Sequence, residues 1–232
     1  MSDLYYIYIY PLFSKNKIEC PFCGWKAKIF LPFGVKPRKN ARCPKCGSLE
    51  RHRLYYLYLK EILPKDKQLK VIHFAPEKII TSLLKSYSNI EYLSIDIEPH
   101  RAMKTEDITR LTFSDNSFDI IFCSHVLEHV ENDRKAMQEL FRILKPGGFA
   151  ILQVPIKNIE KTFEDFTVKD PKEREKVFGQ SDHVRIYGKD YLNRLEQSGF
   201  KVRCDNFFES LDKNVINKYG LKRENIYFCY KE

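Results

Sequence analysis

Residues 114–155 read SDNSFDIIFCSHVLEHVENDRKAMQELFRILKPGGFAILQVP, and their reading decides the fold. The pattern predicts a strand over 118–123, a helix over 133–144, a turn at Lys145-Pro146-Gly147-Gly148 and a second strand over 149–154. The runs IIF and FAIL lack period-two alternation, which suits strands covered on both faces, as in a parallel sheet. Gly147 and Gly148 are expected to stop the helix, since glycine accepts positive φ without steric cost. The product is a β-α-β unit.

Ligands bind at the carboxyl ends of strands in open α/β sheets, and the first of these strands ends on Ser124, His125, Glu128 and His129. An FD-I-I strand followed by HVLEH and a later LKPGG resembles the type 11 branch of the class I SAM-dependent methyltransferases, and the likeness extends over about 69–232. That resemblance implies an α/β fold: a seven-stranded Rossmann-like sheet whose last strand runs antiparallel. It also implies S-adenosyl-L-methionine as cofactor, with Ser124 and His125 beside the sulfonium. His125-Val-Leu-Glu128-His129 equally spells the H-x-x-E-H pattern of a group of zinc peptidases. Those need the motif inside a long helix, whereas this copy begins where a buried strand ends.

Upstream, a strand over 70–74, a turn at Ala75-Pro76-Glu77 and a helix over 78–86 are expected. The family carries an acidic residue and a G-x-G pattern here; this chain has His73-Phe74-Ala75-Pro76-Glu77 and no glycine. Ala75 takes the first glycine's place, and His73, Ala75 and Glu77 are the expected cofactor-facing residues of the turn. Glu77, at a helix start where a carboxylate is favoured, is a candidate for the cofactor's ammonium group. Asp96 ends the next strand, where one carboxylate can accept hydrogen bonds from both ribose hydroxyls. By resemblance, Asp107 accepts the adenine amino group and Ile108 lies against the ring.

Downstream, 157–176 is polar and irregular and reads as a lid. Asp182, His183, Arg185 and Tyr187 then concentrate acid-base and anion-binding groups before a helix over 189–198. Asp182, Arg185 and Tyr187 are candidates for binding the acceptor, and His125 or His183 for the general base. The alternative is structural, with Arg185 paired to a carboxylate and Tyr187 anchoring the lid. Strands over 201–204 and 226–230 complete the sheet.

Residues 1–70 hold 15 Lys/Arg against 5 Asp/Glu, whereas 71–232 hold 25 against 26, so the whole excess of the +9 chain is N-terminal. Within that part, Cys20-Pro-Phe-Cys23-Gly and Cys43-Pro-Lys-Cys46-Gly supply four thiolates at zinc-ribbon spacing, a closed structural Zn2+ site. Two disulfides are the alternative, but no signal segment accompanies them, which points to a reducing, cytoplasmic setting. Ser48 is expected to cap a helix over 49–63, where Arg51 and Arg53 oppose the macrodipole by about 0.3–1 kcal/mol and hint at an anionic partner or at contacts with the catalytic domain. His52 reads as a hydrogen-bonding rather than a metal-ligating residue. The stretch 4–13, LYYIYIYPLF, reads as an edge strand or lid, and no apolar run reaches the length of a membrane span.

The expected organisation is a zinc-ribbon module over 1–65 and a methyltransferase domain over 66–232. The function that the resemblance implies is methyl transfer to a small metabolite or a sugar- or lipid-linked precursor. The alternatives are an RNA methyltransferase that holds its acceptor with the basic module, and a SAM- or nucleic-acid-binding protein without catalysis.

Overall fold

The computed structural model describes residues 4–10, 17–34 and 36–232. Its main elements are α1 (Glu50–Ile62), β1 (Leu69–Phe74), α2 (Lys78–Lys85), β2 (Ile90–Asp96), β3 (Lys104–Thr105), β4 (Phe118–Ser124), α3 (Asp133–Ile143), β5 (Leu144–Gln153), α4 (Pro171–Phe178), α5 (Tyr191–Glu196), β6 (Lys201–Asp205), α6 (Lys213–Tyr219) and β7 (Ile226–Tyr230). Among the described residues no helix is long and apolar enough to cross a membrane. The chain divides into two compact units.

One unit, Gln68–Pro76, Asn89–Asp205 and Ile226–Glu232, carries a seven-stranded sheet in the order β6-β7-β5-β4-β1-β2-β3. Only β7 is reversed: it pairs antiparallel with both β6 and β5, while the other pairs are parallel. Ile120, Ile121 and Phe122 are each at most 1% exposed, as a strand covered on both faces requires. The main core gathers Ile72, Ile121, Met137, Leu140, Leu152 and Tyr191 with their neighbours.

The Lys145-Pro-Gly-Gly segment differs from expectation. It lies inside β5, not after a glycine-stopped helix, and α3 ends at Ile143 with Leu144 already extended. Between β4 and β5 the register jumps from Phe118 opposite Leu144 to Ile120 opposite Phe149. The glycines serve this bulge: Gly147 takes φ +72°, and a Cβ on Gly148 would sit 2.7 Å from the Asp119 carbonyl. The expected lid is also more regular than its polarity implied. Phe163–Glu164 pairs antiparallel with Arg185–Ile186, and α4 follows with the Asp170 carboxylate accepting the Lys172 and Glu173 amides at 3.0 Å.

The other unit takes in the described residues up to Lys67 and extends past the expected 1–65 module by adding Glu77–Ser88 and Asn206–Asn225. Two antiparallel pairs, Ile18–Glu19 with Lys26–Ala27 and Leu31–Phe33 with Arg38–Arg42, flank the cysteine turns. Tyr5–Ile9 forms a helical turn where an edge strand or a lid was expected, and 11–13 of that stretch lie outside the described residues.

Arg53 is fully buried without a carboxylate against it. It donates to the carbonyls of Tyr219 (2.6 Å), Ala41 (2.9 Å), Ser48 (3.0 Å) and Gly220 (3.0 Å), and packs on the Phe30 ring. The cation expected to oppose the α1 dipole is thereby satisfied internally. Leu49, not Ser48, caps α1; its amide donates to Nδ1 of His52 at 3.1 Å, which leaves the other ring nitrogen to donate to Glu77 Oε1 at 2.7 Å. Arg51 donates to the same oxygen at 2.6 Å.

Burial works against the Glu77 carboxylate, but the His52 hydrogen bond and the Arg51 charge outweigh it and hold its pKa at about 2. A carboxyl depressed below its unfolded value contributes stability above that value and loses it as the pH falls. Chemical denaturation should therefore show stability declining from about pH 5 down toward pH 2, with a shallower decline in Glu77→Gln. Equal slopes for the two proteins would refute this role.

Candidate active site

Strand order reverses at β1, which has β2 on one side and β4 on the other, and the carboxyl ends of all three border a cleft of about 790 Å³. Two residues turn the chain sharply there in left-handed conformation, Ala75 at φ +46° and His125 at φ +57°. Their amides are fixed at 2.9 Å to the Ile95 and Gln153 carbonyls. Ala75 thus keeps the backbone form that glycine adopts freely, at a cost of about 1–2 kcal/mol for an L-residue.

Asp96, Asp107, Ile108, His125 and Asp182 line the cleft with Ala75. One Asp96 oxygen, Oδ1, accepts the Glu98 amide at 2.9 Å. Oδ1 of Asp107 accepts the Thr109 amide (2.9 Å) and hydroxyl (2.7 Å); the amide contributes most to holding this carboxyl below its ordinary range, against a burial penalty. His125 places Nδ1 3.1 Å from Glu128 Oε1. Behind it Glu128 is 1% exposed, and neither its Oε2 nor the Ser124 hydroxyl, in a residue 4% exposed, has a hydrogen-bond partner.

Other expected site residues lie elsewhere. His73 is buried on the face of β1 opposite to Phe74, with Nδ1 3.0 Å from the Tyr92 hydroxyl and its ring edge-on to Phe122. Successive strand residues face opposite ways, so with Phe74 on the cleft His73 points away from it. Glu77 is committed to Arg51 and His52, as described above. His183 is 5% exposed and meets His129 edge-to-face at 4.7 Å; burial pushes its pKa down, partly countered by Glu128.

Arg185 and Tyr187, expected to meet an acceptor, are turned inward. Arg185 donates to the carbonyls of Leu127 (2.7 Å), Val130 and Glu131 (2.8 Å), and its Nε lies 3.3 Å from Glu164. The Tyr187 hydroxyl donates to Asp133 at 2.7 Å. These are the structural partners that the alternative reading required. Arg101, Glu131 and Asn132 join the cleft lining without having been singled out. Asn132 carried a signal, a helix-capping residue before an amphipathic run, and its side chain accepts the Lys135 amide at 3.0 Å. Arg101 stands in an irregular loop with no such signal.

In the second unit described above, the four cysteine sulfurs cluster within 4.8 Å of one another; Cys20 and Cys46 are 3.5 Å apart, Cys23 and Cys43 3.7 Å, and none is in a disulfide.

Comparison with known proteins agrees with the sheet. Residues 73–152 match the sequence family described as a methyltransferase domain. The uncharacterized protein MJ0638 of Methanocaldococcus jannaschii is 38% identical over 96 residues, 38% of this chain and 42% of that protein. The ubiquinone/menaquinone biosynthesis C-methyltransferase UbiE of Klebsiella pneumoniae is 29% identical over 130 residues, 53% of this chain and 47% of UbiE. The chain thus spans less than half the length of both curated relatives. The solved S-adenosylmethionine dependent methyltransferase from Mesorhizobium loti shares the fold, with a TM-score of 0.50 and 16% identity over 75% of this chain and 95% of that one. Residues 73–152 thus carry the pattern of a methyltransferase domain, and the sheet around them has the fold of a solved methyltransferase.

Proposed function

We propose that the protein transfers the methyl group of S-adenosylmethionine to a small metabolite or a sugar- or lipid-linked precursor presented at the cleft. The observation that carries this reading is Asp96 at the end of β2, facing the same cleft as Ala75 and Ile108 at the sheet's switch point. The cleft volume of about 790 Å³ falls in the range of small-ligand sites, and the left-handed Ala75 lets backbone approach a ligand closely.

Bound there, the cofactor supplies a methyl group already activated on a sulfonium. Asp96 would accept from the ribose hydroxyls through Oδ2, since Oδ1 is engaged by Glu98. Ile108 offers an apolar wall to the adenine and Asp107 an acceptor for its amino group. His125, whose Nδ1 faces Glu128, can take a proton at Nε2 from an acceptor in the cleft. Replacing Asp96 with alanine removes charge-assisted hydrogen bonds and should weaken S-adenosylhomocysteine binding in calorimetry by roughly 10- to 100-fold, with melting unaffected. An unchanged affinity would sink the assignment.

We assign a structural zinc ion to the cysteine cluster. Zinc–sulfur bonds of about 2.3 Å place tetrahedral sulfurs about 3.8 Å apart, close to the 3.5 and 3.7 Å separations found. Four cysteine ligands leave no coordination position for substrate or water.

A second reading, with RNA as acceptor, draws on a separate cleft of about 580 Å³ within the basic unit. Phe22, Tyr56 and Tyr87 line it beside Lys60 and Lys65, with Lys60 Nζ 4.5 Å from the Tyr56 ring centroid. Aromatic faces interleaved with amines are what single-stranded bases and phosphates require.

A further inference from the structure

Beside the cleft lies a group of side chains of which the proposed methyl transfer uses only one Glu128 oxygen, the one facing His125. Glu128 and His129 belong to a single turn, Leu127–His129, directly after β4, and His183 comes from the loop before the Arg185–Ile186 strand. The Val184 amide donates to the Glu128 carbonyl at 3.0 Å and holds that loop against the turn. One donor atom from each of Glu128, His129 and His183 falls within 4.8 Å of the others. Donors bonded at about 2.0–2.2 Å to one tetrahedral ion stand about 3.3–3.6 Å apart, so a bound ion would draw these three groups closer together.

Three features distinguish this cluster from an incidental one. Glu128 is 1% exposed, yet among the described residues its Oε2 has no hydrogen-bond partner, and a buried carboxyl oxygen left so carries a desolvation cost that a bound cation would offset. His129 has Nδ1 3.2 Å from the Asp182 carbonyl, so that nitrogen donates its proton and Nε2 presents a lone pair, the tautomer of a metal-ligating histidine. His125 sits 3.1 Å from the other Glu128 oxygen and fixes the carboxylate's orientation.

We propose that Glu128, His129 and His183 bind a divalent first-row transition ion. Two imidazoles and one carboxylate suit zinc, cobalt, iron or manganese, whereas magnesium and calcium take oxygen donors. Three protein ligands leave coordination positions open. His125, His129 and Asp182 are on the cleft wall, so the open side faces the cleft, where an oxygen or nitrogen of a bound molecule can complete the sphere. The site is distinct from the H-x-x-E-H arrangement of zinc peptidases, because His125 positions the carboxylate and the second histidine ligand comes from a remote loop.

The test is titration of the full, zinc-loaded chain with Co2+, followed by visible absorption and calorimetry in the absence of any cofactor. The expected result is one further equivalent of cobalt with the weak d–d bands of a nitrogen and oxygen site. Glu128→Gln, His183→Ala and His129→Ala should each bind it about 10- to 100-fold more weakly. His129 is partly exposed, so His129→Ala keeps the test valid should a substitution at a buried ligand unfold the domain. A wild type that takes up no further cobalt, or shows only a thiolate-to-cobalt charge-transfer band, overturns the site, as does unaltered affinity in His129→Ala with native melting. Because cobalt is read without S-adenosylhomocysteine, this result stands or falls independently of the Asp96 experiment.

Discussion

Replacing Cys43 with serine is expected to abolish zinc binding at the proposed four-cysteine site and to unfold the N-terminal module around it. The small core there consists of Ile18, Cys20, Trp25, Ala27, Phe30 and Cys43, so two of its six buried members belong to the zinc site proposed above. Little apolar area remains to offset chain entropy once the ion is lost. Structural zinc contributes about 10–16 kcal/mol in isolated finger peptides, as much as the whole stability of a typical domain. Trp25 is the sole tryptophan of the chain, 5% exposed, and its indole donates to the Ile7 carbonyl at 3.2 Å. Its emission therefore reports on this module alone. Cys43→Ser, or chelation of the wild type, should shift that emission to the red and lower the zinc content of the purified protein. Unshifted emission from a zinc-free sample would mean that the cysteines do not hold the fold.

Much of the sheet was legible because its strands carry a local signal. Buried runs such as Ile120-Ile121-Phe122 need cover on both faces, and β1, β4 and β7 lie within a residue of their expected limits. Gly147 and Gly148 show where local signal ends: a helix stop and a strand bulge both call on glycine, and only the pairing of Ile120 with Phe149 distinguishes them. The cleft residues that could be read, Asp96 and His125 foremost, stand at strand ends, a place fixed by topology. Those misplaced depend on distant partners. Glu77 is claimed by Arg51 and His52, 26 and 25 residues away, and nothing near Glu77 in sequence records it. His73 is a different case, since strand alternation allows only one of His73 and Phe74 to face the cleft.

Arg185 shows most clearly how a residue with functional character can be structural, and its replacement by alanine should destabilise the sheet-bearing unit by about 3–5 kcal/mol. The side chain has no solvent exposure. Its guanidinium satisfies three carbonyls between Leu127 and Glu131 and approaches both Glu164 and Asp133, and Arg194 bridges the same two carboxylates. Alanine would remove the side-chain donor that serves the Val130 and Glu131 carbonyls, and would leave Arg194 alone to balance two partly buried carboxylates. Lysine keeps the charge but lacks the planar fork, so Arg185→Lys should recover only a minor part of the loss. The clamped segment also lines the cleft with Val130 and Glu131, and cofactor affinity should fall in both variants together with stability. An arginine that grips the acceptor predicts another outcome: thermal unfolding like that of the wild type, and a raised KM for the acceptor alone. Melting curves of the two variants, measured before any substrate is known, decide between them.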